Sequence, residues 1–192
     1  MEFKQFIYNL KGHFTTITRH RHEVMKNCFR AGIFWQGLMH DMSKYSPTEF
    51  IESSKYYTGK HSPISEAKRE NGYSKAWLHH KGRNKHHFEH WVDYSVNDGE
   101  HVIMGAQMPR KYVAEMVMDR ISASRNYLGD AYNDSQPLEY FLKSKEKLWF
   151  IHPQTNKELE ALLRILNDHG EEKLLHYIKY RYLKGETRKI RY

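Results

Sequence analysis

Residues 37–50 read GLMHDMSKYSPTEF. An apolar, helix-like run ends on His40 beside Asp41, and Lys44 follows within one turn. SPTE at 46–49 then opens a new helix with a Ser N-cap, Pro at N1 and Glu49 in the capping position. The helix that ends here, about 33–41, has the body IFWQGLM, whose apolar character predicts that its end is held against the core. A buried imidazole next to a buried carboxylate then needs an explanation, because an uncompensated carboxylate is costly to desolvate.

Helical periodicity extends in both directions. Phe3, Ile7, Leu10, Phe14, Ile17, Val24 and Cys28 mark the apolar face of a long first helix that stops near RAG at 30–32. Residues 57–74 read as a surface excursion, 75–80 as a short helix, 86–91 as a further turn or helix, and 97–108 as irregular. From Pro109 to about Tyr127 one helical face carries Tyr112, Met116, Asp119 and Ala123. Three more helices follow: 137–150, one from a TNKE capping box at 155–158 to Gly170, and 171–185. No alternating strand pair stands out, so the fold class is all-α. Residues 1–130 form a helical core and residues 131–192 add C-terminal helices packed on the same domain.

Seven of the 14 histidines fall at 20–22 and 79–90. His20, three after Ile17 and four before Val24, shares the inward face of the first helix, whereas His22 lies nearly opposite. Asp119, between Met116 and Ala123, also faces inward. His20, His40, Asp41 and Asp119 thus converge from three helices, and imidazole with carboxylate suits a divalent ion: Mn, Fe, Zn, Ni, Co or Mg. The lone Cys28 forms no internal disulfide and sits on a core face, which points to a reducing, cytoplasmic setting. No stretch has the apolar length of a membrane span. Of the net charge of +8, residues 173–192 hold seven Lys or Arg against one Glu, leaving +2 for the other 172 residues. That tail is a candidate for weak nucleic-acid contact rather than a reader of bases. Glycines are scattered, with no phosphate-binding loop or dinucleotide fingerprint.

His20, His40–Asp41 and Asp119 resemble the H…HD…D signature of the HD-domain superfamily, and HDMSK matches its HDxxK form. The strings RHRHEVMKNC, WLHHKGRNKHHFEHW and YVAEMVMDRISASRNY are also similar to a bacterial family of HD-like proteins without an assigned activity. The resemblance covers roughly residues 10–130. It implies an HD-domain-like helical bundle and a metal-dependent phosphohydrolase acting on a nucleotide or other small phosphate ester. In its terms Lys44 faces a phosphate, and two further histidines complete a second metal site. His79, His80, His86, His87 and His90 compete for those places; His80 with His86 or His87 is favoured. The gap from His20 to His40 is short for the superfamily, which keeps His22 open as first ligand. Asp41, Lys44 and His80 are the catalytic candidates, and Lys44, Arg83, Lys85 and Arg125 the phosphate-binding ones. Glu49 reads as a capping residue, Glu23 and Glu89 as solvated or supporting acids. A di-iron oxygenase of the same superfamily, and a non-catalytic metal-stabilised domain that binds nucleotide or nucleic acid, are the competing readings.

Overall fold

The computed structural model describes residues 3–96 and 102–187. It is essentially all-α. Helix α1 runs Phe3–Ala31, α2 Phe34–Met39, α3 Pro47–Lys55, α4 Pro63–Asn71 and α5 Lys75–Arg83. Two short antiparallel strands follow, β1 (Val92–Tyr94) and β2 (Ile103–Gly105), paired as Val92 with Gly105 and Tyr94 with Ile103. Then come α6 (Arg110–Leu128), α7 (Gln136–Lys145), α8 (Pro153–Tyr177), a π-helical turn at Ile178–Tyr182 and α9 (Lys184–Thr187). Two expectations change here. The supposed excursion at 57–74 contains α4, started by Pro63 and ended by Gly72 at φ 79°. The stretch read as irregular contributes β2, too short to show alternation.

The centre of the protein is α6, where every residue from Val113 to Met118 is buried, together with Ile121 and Ser122. It packs against α1, α2, α7 and α8. One apolar cluster joins Val24 and Cys28 of α1, Ile121 of α6, Phe141 of α7, and Leu163 and Leu174 of α8. The C-terminal helices therefore share the core of the N-terminal ones. The break at Gly170 (φ 80°) lies inside α8. His152, not Thr155, caps that helix, by accepting from the Gln154 amide; the Thr155 hydroxyl accepts from the Met108 amide instead. Ile178 and Tyr182 of the basic tail are buried, and the Tyr182 hydroxyl donates to Glu158 at 2.6 Å. Arg188, Lys189 and Arg191, three of the tail's cations, lie outside the described residues. No helix among those described is long and apolar enough to cross a membrane.

The first helix departs from its expected phase. Its buried residues are Asn9, His13, Ile17, His20, Val24, Asn27, Cys28 and Ala31, while Phe3 and Phe14 face solvent. The N-terminal half roofs a cavity that His13 lines, and Phe14 packs outside on Tyr45 and Phe50. The reasoning about α2 also fails. Phe34 and Trp35 are 59% and 66% exposed, Leu38 and Met39 are exposed too, and Gly37 is its one buried residue. What holds α2 is close backbone approach: a Cβ on Gly37 would sit 2.7 Å from Cys28 Cβ and 3.1 Å from the Met25 carbonyl oxygen. Arg21 completes the anchor by donating to the Leu38 and His40 carbonyls, at 2.5 and 3.2 Å, where the helix end lacks partners.

Gly37→Ala is expected to push α2 off α1 and to cost about 1–3 kcal/mol, the range for overpacking a tight contact. Gly82, inside α5, has open space where a Cβ would stand, so Gly82→Ala should stabilise by about 0.5–1 kcal/mol. Urea unfolding of both variants checks the pair; equal stabilities would contradict this account of the α1–α2 contact.

Candidate metal centre

The chain leaves α2 through Asp41, the one non-glycine residue among those described with a positive φ, 54°. Asp tolerates this left-handed conformation better than most side chains. The turn allows consecutive residues to aim at the same place. His40 and Asp41 are both 1% exposed, and the 3-10 turn Met42–Tyr45 then brings Lys44 Nζ to 2.6 Å from Asp41 Oδ2.

Around Asp41 stand four helices. From α1, His20 Nε2 lies 3.9 Å from Asp41 Oδ2 and 2.9 Å from Asp119 Oδ1 of α6. His40 Nε2 is 3.3 Å from Asp41 Oδ2. From α5, His80 Nε2 lies 3.3 Å from Asp41 Oδ1, and from the loop after it His86 Nε2 lies 3.5 Å from the same oxygen. His87 Nε2 is 2.9 Å from His80 Nε2. Two groups of four have donor atoms all within 4.8 Å of one another: His20, His40, Asp41, Asp119, and Asp41, His80, His86, His87. Asp41 belongs to both. Donors about 2 Å from a common ion lie at such mutual distances, so these buried groups could hold a metal ion.

The outward edges of the rings decide which nitrogens are available. Glu115, one turn before Asp119 on α6, has Oε1 2.9 Å from His40 Nδ1 and 3.1 Å from His86 Nδ1. Glu49 of α3 has Oε2 2.7 Å from His80 Nδ1 and Oε1 2.6 Å from His79 Nδ1. Burial pushes both carboxyls up, but the histidine hydrogen bonds outweigh it and hold them below the usual glutamate range. As carboxylates they accept Nδ1–H, which turns Nε2 of each of the three rings inward, toward oxygens that carry lone pairs. His40 Nε2, His86 Nε2 and both Asp41 oxygens are buried without a well-aligned hydrogen bond. Only a positive species resolves that conflict. Burial opposes charge on His40, yet Asp41 lifts its pKa to about 10, so a proton can serve there. Burial also works against Asp41, but His40, Lys44 and His80 keep it well below the carboxylate range. Three adjacent buried imidazolium rings would repel one another, whereas a divalent ion satisfies bare nitrogens and carboxylates together.

A cavity of about 690 Å³ opens above this floor, lined among others by His13, His20, Lys44, His87, Asp119 and Arg120. Several candidates lie elsewhere. His22 is exposed on the outer face of α1, which leaves His20 as the inward residue. His79 serves Glu49, and His90 Nδ1 faces the Lys81 carbonyl at 3.2 Å. Arg83 is exposed and donates to the His79 carbonyl; Lys85 is exposed, with Nζ 6.0 Å from the Tyr112 ring. Arg125 is drawn away by Glu171, with Nη2 2.5 Å from Oε2. These three cations therefore do not reach the cavity wall. Glu49 is a histidine partner rather than a capping acid: Ser46 Oγ accepts from the Glu49 amide, but the Glu49 carboxylate turns to α5. Glu115 was signalled only by its place four residues before Asp119, which puts both on one face of α6.

No curated protein and no solved structure matches the chain. The family described as "Family of unknown function (DUF5662)" matches residues 9–165, a span that includes every residue of both ligand groups. With that match over most of its length, the chain belongs to the DUF5662 family.

Proposed function

We propose that this protein is a metal-dependent phosphohydrolase acting on a small phosphate ester, with a nucleotide as the first class to test. The observation that carries the reading is that Asp41, with the Lys44 ammonium beside it, is shared by two four-residue candidate ligand groups, of which His20, His87 and Asp119 line a cavity together with Lys44. The order His20, His40–Asp41, His80 and His86, Asp119 along the chain also follows the order in two-metal members of the HD superfamily that the sequence resembles. His87 extends that set.

Divalent ions bound in such a pair of sites supply a hydroxide nucleophile at neutral pH and stabilise charge on the phosphoryl oxygens. The chain's own residues hold the rest. Lys44 is kept charged: burial opposes its ammonium, but Asp41 and Asp119 raise its pKa above the ordinary lysine value. It is therefore a fixed positive partner for a phosphate oxygen at the cavity wall. Glu115 and Glu49 retain the Nδ1 protons and fix the rings of His40, His86 and His80. Asp41 and His80 act in this reading as ligands rather than as free proton acceptors, because their inward atoms all face the shared site. The oxidative alternative uses the same donor set and differs in the metal required.

Elemental analysis of untagged protein is expected to give two divalent ions per chain. His20→Ala should remove one, His87→Ala the other, and Asp41→Ala both; full metal content in Asp41→Ala would refute the shared-ligand geometry. Glu115→Gln should weaken metal binding about 10–100-fold in a chelator competition, as loss of a ring-orienting partner does elsewhere. Protein loaded with Mn, Co, Ni or Mg should release phosphate from at least one member of a nucleotide and phosphomonoester panel, and Asp41→Ala should not. Two irons per chain with oxygen consumption and no phosphate release would replace the hydrolytic reading with the oxidative one.

A further inference from the structure

The cavity has a second cationic pole. Arg120 follows Asp119 on α6 and is turned one residue step around the helix, toward α7, with its guanidinium carbon 5.9 Å from the Phe141 ring centroid. It lines the cavity, yet its Nε is closed off from solvent and has no hydrogen-bond partner. Other arginines of this protein are paired: Arg30 with Glu171 and Glu172, Arg110 with Glu158, Arg125 with Glu171, Arg164 with Glu160. Among the described residues Arg120 forms no such ion pair. The carboxylates that act on it from further off are Asp119, held at 2.9 Å by His20, and Glu89. The Phe141 ring offsets only part of the cost of withdrawing the guanidinium partly from water.

We propose that Arg120 binds an anionic group on the molecule that occupies this cavity, distinct from the phosphoryl group held near Asp41 and Lys44. This rests on the reading of the cavity as a phosphate-ester site and narrows its substrate to esters that carry a second acid, a carboxylate or another phosphate. The guanidinium fork matches either anion with two parallel hydrogen bonds. Gln136 and Tyr140 of α7 line the same cavity and offer further donors to the anion, while Trp77 and Pro137 give the intervening part of the ligand an apolar surface. A substrate with one phosphate and a neutral body would leave Arg120 as it stands, half-buried and without an ion pair.

The test is calorimetry on the full, metal-loaded chain with probes that cannot be hydrolysed: butylphosphonate and its terminally carboxylated and terminally phosphonylated counterparts. The two-acid probes should bind at least about tenfold more tightly than butylphosphonate, the gain of one charge-assisted hydrogen-bonded contact. In Arg120→Met that ratio should fall to about twofold or less, and in Arg120→Lys to an intermediate value. Arg120→Met should also melt no lower than the parent, because it removes an uncompensated cation; Arg120→Gln substitutes if the Met variant does not fold. A lower melting temperature with an unchanged ratio would assign Arg120 a structural role and overturn the proposal, as would equal binding of all three probes by the parent protein. Failure of the parent to bind any of them would overturn the phosphate-ester reading itself. Whichever two-acid probe binds more tightly identifies the second anion.

Discussion

The constraint on which the rest of this structure depends is the set of bare imidazole nitrogens that surround Asp41. His40, His80 and His86 each give Nδ1 to a glutamate, and each then directs Nε2 to within 3.3–3.5 Å of an Asp41 oxygen. Acceptor facing acceptor in a buried site is unfavourable unless positive charge lies between. A proton on His40 relieves the contact at Oδ2, which the Lys44 ammonium also faces, while the His80 and His86 contacts both fall on Oδ1. The remaining nitrogens, with His20, His87 and Asp119 arranged behind them, form donor sets of the size and spread that a divalent ion takes.

Much of the fold exists to hold that arrangement in register. Asp41 must adopt a left-handed conformation to share the site with His40, and this conformation is imposed from both sides. Upstream, Gly37 lets α2 lie against the backbone of α1, and Arg21 ties the last carbonyls of α2 to α1. Downstream, Ser46 and Pro47 start α3 at once and place Glu49 beneath α5. Because α2 is fixed by backbone contact rather than by side-chain burial, Phe34 and Trp35 remain at the surface without loosening the corner.

The sequence made the ligands easier to read than their supports. His20 and Asp119 stood on long helices whose phase was secured by Ile17, Val24, Met116 and Ala123, so their inward direction followed from spacing. The loop histidines could not be separated by phase, since α5 ends at Arg83 and the chain reaches His86 and His87 in a turn; only tertiary contact distinguishes them from His79 and His90. The capping position of Glu49 offers a sufficient local role in the sequence, whereas the partner that claims its carboxylate, His80, is 31 residues away. The apolar stripe predicts that Phe14 faces inward, whereas the inward side there is a cavity lined by His13. Nearness in sequence suggests Arg83, Lys85 and Arg125 as phosphate-facing cations. Glu171, on a distant helix, removes Arg125 from the site, a contact that no local pattern announces.

A single turn of α6 accounts for the two tiers of carboxylates. Glu115 and Asp119 are four residues apart and so lie on one face of the helix, one above the other. The rings of His40 and His86 stand against that face, 4.4 Å apart between centroids. Glu115 meets both rings at Nδ1, and Asp119 lies 3.8 Å from Nε2 of each. The same two imidazoles are thus oriented by the first acid and brought beside the second, where the donors could hold a cation. Moving either carboxylate by one position would rotate it by about 100° around the helix, away from the rings. The i, i+4 spacing thus sets the glutamate that orients the rings one turn from an aspartate of a group that could hold an ion.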